Sequence, residues 1–178
     1  GNPILSPPPP AGFGLGPVYS NYQVLQIAPT AAYQLTERLS VGVAPIVNLG
    51  KLSVTPGVIA APNDANGDGA PHYASATSTR FAWGAGIQAG VYFTASDAWS
   101  FGAAIKSPQW FEPYRYHLSD ELGRSRTVQF RFDTPLTVSI GVAFTGIDRL
   151  TIAADARFLN FRNTDGYRDA GFDAAGAS

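Results

Sequence analysis

The 178-residue sequence predicts an all-β fold, an antiparallel up-and-down transmembrane β-barrel section of about six strands cut from a larger barrel. Three observations predict it. Long segments alternate strictly between apolar side chains and small or polar ones, the period of a strand with two different faces. Tight polar turns alternate with long loops. Charge is scarce at 14% beside 45% apolar residues, whereas soluble domains carry about 25% charge.

The segments follow in order. From Asn21 to Leu35, Leu25, Ile27, Pro29, Ala31, Tyr33 and Leu35 share one parity, against Val24, Gln26, Ala28, Thr30, Ala32 and Gln34. Leu39, Val41, Val43, Pro45, Val47 and Leu49 then oppose Ser40, Gly42, Ala44, Ile46, Asn48 and Gly50. Phe81, Trp83, Ala85, Ile87, Ala89, Val91 and Phe93 oppose Ala82, Gly84, Gly86, Gln88, Gly90, Tyr92 and Thr94. A fourth segment sets Trp99, Phe101, Ala103 and Ile105 against Ser100, Gly102, Ala104 and Lys106. A fifth runs Phe130 to Thr145, with Val138, Ile140 and Val142 against Arg131, Asp133, Ser139 and Gly141. The sixth sets Leu150, Ile152, Ala154, Ala156 and Phe158 against Thr151, Ala153, Asp155 and Arg157. A tilted strand crosses a bilayer in about 9–11 residues, a length these segments reach. A soluble sheet alternates too, but its polar face carries Lys, Glu and Arg. Here that face is mostly Gly, Ala, Ser, Thr and Gln.

Composition closes off other classes. No run approaches the roughly 18 apolar residues of a membrane helix. A net charge of −1 offers no basic field for nucleic acid. With no cysteine, disulfides, thiolate metal sites and cysteine nucleophiles are excluded. No GxSxG or HExxH motif is present. His72 and His117 stand far apart in loops, so no enzyme activity is expected.

The connections set the orientation. Thr36-Glu37-Arg38, Ser96-Asp97-Ala98 and Gly146-Ile147-Asp148-Arg149 are tight. The stretches 1–18, 51–79 and 112–127 read as long extracellular loops, the first rich in Pro and Gly. Short turns are periplasmic in outer-membrane barrels and long loops face outward. Tyr33, Tyr92, Phe93, Trp99 and Phe144 flank the short turns. Phe81, Trp83, Trp110, Phe111, Tyr114 and Tyr116 lie toward the long loops, so two interfacial aromatic belts are expected. The phrases YQLTERLSVG, YFTASDAWSFG and FTGIDRLTIA repeat one hairpin plan.

Those hairpins carry a family resemblance. Ser20-Asn21-Tyr22 with IAPTAAYQLTERLSVGVAP, FAWGAGIQAGVYFTASDAWSFGAAIKSP and PLTVSIGVAFTGIDRLTIAADARFLNF resemble the FadL-type outer-membrane transporters of hydrophobic compounds. The opening SPPPPAGFGLGP is similar to a loop preceding such a strand. The resemblance implies a monomeric parent barrel of roughly fourteen strands with an N-terminal plug. It also implies passive uptake of fatty acids or other apolar molecules toward the periplasm, leaving sideways through a wall opening. Lipid and lipopolysaccharide would surround it. No segment here reads as the plug or as the aromatic final strand, so an interior section of the parent is expected. Two other readings share many features: a soluble all-β binding module, and a structural barrel without transport.

The candidate substrate path is the polar parity: Gln88, Lys106, Arg131, Asp133, Asp155 and Arg157. Its cations are expected either to draw a substrate carboxylate or to pair with the acids and hold neighbouring strands. Gly84, Gly86 and Gly90 on the same face leave room for a plug or ligand. Asp64, Asn66 and Asp68 match the first half of a calcium loop, with Gly69 at the turn and Ser75 where a bidentate acid belongs. A weak Ca²⁺ site in the 64–69 loop is therefore an expectation beside that of a solvated turn.

Overall fold

The computed structural model describes residues 18–55, 57, 59, 62–74 and 78–167. The expected loop 1–18 and the expected calcium-loop end at Ser75 thus lie almost wholly outside the described residues. The described residues form ten strands: β1 (Tyr19–Ile27), β2 (Ala31–Thr36), β3 (Leu39–Thr55), β4 (Arg80–Thr94), β5 (Trp99–Lys106), β6 (Trp110–Phe111), β7 (Tyr114–Ser119), β8 (Ser125–Phe130), β9 (Leu136–Ile147) and β10 (Leu150–Asn160). A 3-10 turn, Phe161–Asn163, follows. The main sheet runs β1-β3-β4-β5-β9-β10; β2 pairs β3 beyond β1, and β6 pairs β4 beyond β5. Every pairing is antiparallel, and the sheet curves into a half-barrel.

Register places like faces together. Leu49 pairs Trp83, Phe93 pairs Phe101, Phe101 pairs Val142, and Ile140 pairs both Ala103 and Ala156. That outward face is open: Leu25, Ile27, Phe81, Trp83, Ile87, Phe101, Ile140 and Phe158 are all exposed. Among the described residues no second sheet covers it, as a soluble sandwich would require. Exposed apolar side chains on this scale mark a surface meant for an apolar environment. Residues 37–38 and 148–149 make two-residue turns. The second uses Arg149 at φ 58°, a left-handed conformation that costs an L-residue energy. At that end of the wall, Thr94 N–H donates to Arg38 O at 2.8 Å and Thr145 N–H to Ala98 O at 2.8 Å. The short turns are therefore tied to their neighbours. Trp99 and Phe144 meet there at 4.7 Å between ring centroids.

Three expectations are corrected. The segment Asn21–Leu35 is not one strand, because its ladder stops across residues 28–30. The fifth strand starts at Leu136, not Phe130. Phe130 belongs to β8, where it pairs with Tyr114, and residues 131–135 turn away so that Thr134 bridges Gln109. The stretch 112–127 is not an open loop. It forms most of the β7–β8 hairpin, with Tyr114, Tyr116 and Leu118 alternating inward.

That hairpin makes the buried core. Phe111, Tyr114, Tyr116 and Leu118 pack with Leu52, Val54 and Ala82 on the concave face of β3 and β4. Phe111, Tyr114 and Tyr116, expected in a lipid-facing belt, are instead enclosed by this packing. The belt at this end is Phe81, Trp83 and Trp110, all exposed on the outward face.

Candidate functional site

Two zones divide the concave face. Toward the hairpin end, wall glycines seat loop side chains. A Cβ on Gly84 would lie 2.8 Å from the Phe111 ring, and one on Gly86 would lie 2.9 Å from Gln109 Cγ. One on Gly50 would overlap the Tyr114 hydroxyl. The expectation of room for a plug at Gly84 and Gly86 thus resolves into seats for this loop, while Gly90 faces Ala103 and Ala104.

Polar contacts lock the seats. Asn48 Nδ2 donates to Gln109 Oε1 at 2.7 Å in a buried contact. Tyr116 OH donates to Leu52 O at 2.8 Å, and burial pushes that hydroxyl up to about 12. Phe111 N–H donates to Asp133 Oδ1 at 2.8 Å. Desolvation raises the Asp133 carboxyl above its ordinary range, opposed by that Phe111 bond. Asp133 N–H donates to Asp165 O, and Arg131 pairs with Asp165 at 3.7 Å. Tyr22, Phe130, Phe132, Phe161 and Tyr167 form an aromatic chain beside them, with Tyr22 edge-on to Phe132 at 5.1 Å.

Toward the short turns the face opens into a trough of about 490 Å³, within the range of small-molecule sites (about 300–1,000 Å³). Ala28, Thr30, Ala32, Gly42, Ala44, Gln88, Gly90, Gly102, Ala104, Ser139, Gly141 and Asp155 line it. Tyr92 lines it as well, and no residue of β6, β7 or β8 reaches it, so this zone stays open while the upper one is filled.

The trough borders the break in the wall. Ile27 pairs Val47 and Ala31 pairs Val43, so the unbroken register sets Pro29 opposite Pro45. Pro45 also pairs Ile87. Ile87 N–H donates to Ser107 Oγ at 3.0 Å and its carbonyl accepts from Ser107 N–H at 2.8 Å. Both bonds lie on the side away from β3, which makes Pro45–Ile87 a pair without mutual hydrogen bonds and turns Pro45 toward Pro29. Pro29 and Pro45 thus occupy a hydrogen-bonding pair position where neither has an N–H to give. Both bonds of that pair are lost, leaving residues 28–30 without a ladder and about 13 Å of strand between the pairs at Ile27 and Ala31. Within the break, Thr30 Oγ1 donates to Ala28 O at 3.1 Å.

The candidate path residues fall into two groups. Gln88, Lys106, Asp155 and Arg157 lie on the inner wall, whereas Arg131 and Asp133 belong to the rim junction beneath the hairpin. No ion pair among the described residues joins Lys106, Asp155 or Arg157. Lys106 Nζ instead donates to Gln26 Oε1 at 2.8 Å. Sequence parity missed Tyr22, Asn48 and Gln109, although the buried-polar pattern of Asn48 on a small-residue face was visible there.

In the 64–69 loop, Asp64 Oδ1 accepts from Gly67 and Asp68 N–H, and Oδ2 from Gly69 N–H at 2.9 Å. Asn66 Nδ2 donates to Asp68 Oδ2. The oxygens expected to hold calcium are engaged in closing the turn. Among the described residues no cluster of three or more His, Asp or Glu side chains is placed to hold a metal.

No protein-family model matches the chain, and no curated protein matches it. Solved structures do. The toluene transporter TbuX of Ralstonia pickettii aligns at 20% identity over 80% of this chain and 42% of that one, TM-score 0.61. The monoaromatic hydrocarbon channel CymD aligns at 16% identity over 85% and 48%, TM-score 0.63. A deltaS2S3 mutant of the monoaromatic hydrocarbon channel TodX aligns at 14% identity over 81% and 43%, TM-score 0.54. The chain spans less than half the length of each, and at these identities the likeness is one of fold.

Proposed function

We propose that this chain is the substrate-handling wall of a FadL-type barrel in the bacterial outer membrane, passing hydrophobic small molecules toward the periplasm. The observation that carries the reading is the Pro29–Pro45 break opening beside the small-residue trough. An apolar molecule sheds water on entering the trough and leaves through a wall section with no ladder to part. Monoaromatic hydrocarbons, carried by the structural neighbours, and long-chain fatty acids are the substrate classes. For an acid, Lys106 and Arg157 supply positive charge along the inner wall, with Gln88 beside them. The outward face contacts lipid and lipopolysaccharide, and the parent barrel works as a monomer without catalysis or a cofactor.

Uptake tests this reading. Cells lacking other hydrocarbon channels and carrying the parent barrel should take up labelled toluene or labelled decanoate faster than cells with the empty vector. Equal rates for both labels would refute transport.

A further inference from the structure

The Lys106–Gln26 hydrogen bond joins residues 80 apart in sequence. Its ends stand on β5 and β1, with β3 and β4 between them in the sheet. The bond therefore crosses the concave face over two strands. In register, Gln26 is level with Asn48 and Gly84, the lower margin of the loop-filled zone. Lys106 is level with Gln88 and Ala44, which line the trough. Ala44 and Ile46, the wall residues between those levels, are buried. On this part of the wall, the crossbar lies between the aromatic rim and the wall break.

We propose that the Lys106–Gln26 crossbar is the selectivity element of the path, exchanging its amide acceptor for the anionic head of an amphipathic ligand. The inference rests on the transport reading above. Lys106 is a full cation held, among the described residues, by a neutral carbonyl oxygen and by no carboxylate. That bond is charge-assisted on the donor side alone; a carboxylate in the same place adds the Coulomb attraction of an opposite full charge. A carboxylate arriving at Nζ thus replaces the Gln26 bond with a better one while its apolar body lies over Ala44 and Ile46. A neutral aromatic hydrocarbon must break the bond and returns only a weaker cation–π contact to the ammonium. Arg157, paired with Ser139 one position further along the face, adds a second cation for the departing head.

The test compares benzoate with toluene on the purified parent barrel. Wild type, Lys106→Met, which keeps an unbranched stem without the ammonium, and Gln26→Leu are measured for equilibrium binding in detergent and for flux in proteoliposomes. Lys106→Met should lower the benzoate-to-toluene ratio about tenfold in both measurements, the effect of losing one charge-assisted bond. Gln26→Leu should raise the ratio, because it frees the ammonium. Ratios unchanged in both variants overturn the crossbar. Binding ratios that shift as described while wild-type flux is absent for both probes support the crossbar and refute transport, so the two failures are separable. Heat-modifiable gel mobility identifies a variant that has not folded, and Lys106→Gln then replaces Lys106→Met with the same expectation.

Discussion

Replacing Gly84 with alanine tests the seat of the inward loop. The added methyl would sit 2.8–2.9 Å from three atoms of the Phe111 ring. The ring has little freedom to yield: it is enclosed, and its own N–H is held by Asp133. β4 is equally constrained, pairing with β3 on one side and with β5 and β6 on the other. Overpacking of this kind costs about 1–3 kcal/mol. Relieving a strand glycine returns about 0.5–1 kcal/mol to β4 itself, equally with the hairpin seated or open, so it does not offset the clash. Local opening of the β7–β8 hairpin should therefore become roughly 5- to 150-fold more frequent. Hydrogen exchange of the β7 amides in detergent reads this directly. Gly102→Ala is the matched control, since its methyl would meet nothing nearer than Val91 O at 3.9 Å. Equal protection of β7 in the two variants would refute the seating argument.

Other perturbations have definite outcomes. Asp133 binds its proton more tightly folded than unfolded, so stability of the rim junction falls as pH rises from the ordinary 3.8 through its raised pKa. Asp133→Asn keeps an acceptor for Phe111 N–H and should abolish that slope in pH-dependent hydrogen exchange. Asp133→Ala should free Phe111 at a cost of about 1–3 kcal/mol. Tyr116→Phe leaves Leu52 O without its buried donor and should destabilise the hairpin by about 1 kcal/mol, measurable as faster proteolysis between 119 and 125. Ile140→Arg puts a cation on the outward face and should cost about 2–4 kcal/mol if that position is near the bilayer centre, read from denaturant titration in lipid vesicles.

The wall was legible in the sequence because parity is a local property. The pair Phe93–Phe101 follows from two-residue periodicity once the short turn fixes the register, whereas Ile140–Ala156 also requires the register shift between Leu150 and Ile152. The short-turn aromatics Trp99 and Phe144 were legible for the same reason. The loop was not. Tyr114, Tyr116 and Leu118 alternate with Arg115, His117 and Ser119, a pattern that suits a lipid-facing strand as well as a hairpin folded against the wall. What decides between them is whether the wall is hollowed to receive the rings, and Gly84 lies 27 positions before Phe111 and Gly50 64 before Tyr114. The break at Pro29 was hidden by its own parity, since proline fitted the apolar face. Only pairing with β3 reveals that a second proline stands opposite. Lys106, Asp155 and Arg157 share one face of the wall, the face their parity predicts, but a fifth strand begun too early put Arg131 and Asp133 on the wall instead of at the rim.

The central claim is that ligand leaves through the Pro29–Pro45 break, and closing that break tests it most directly. Pro29→Val with Pro45→Val restores both N–H donors at one hydrogen-bonding pair position, where each can reach the facing carbonyl. In the parent barrel the double variant should show protected amides at 29 and 45 and a marked fall in labelled toluene uptake, with each single variant falling between it and wild type. Uptake at the wild-type rate through a wall whose two new amides are protected would contradict the account.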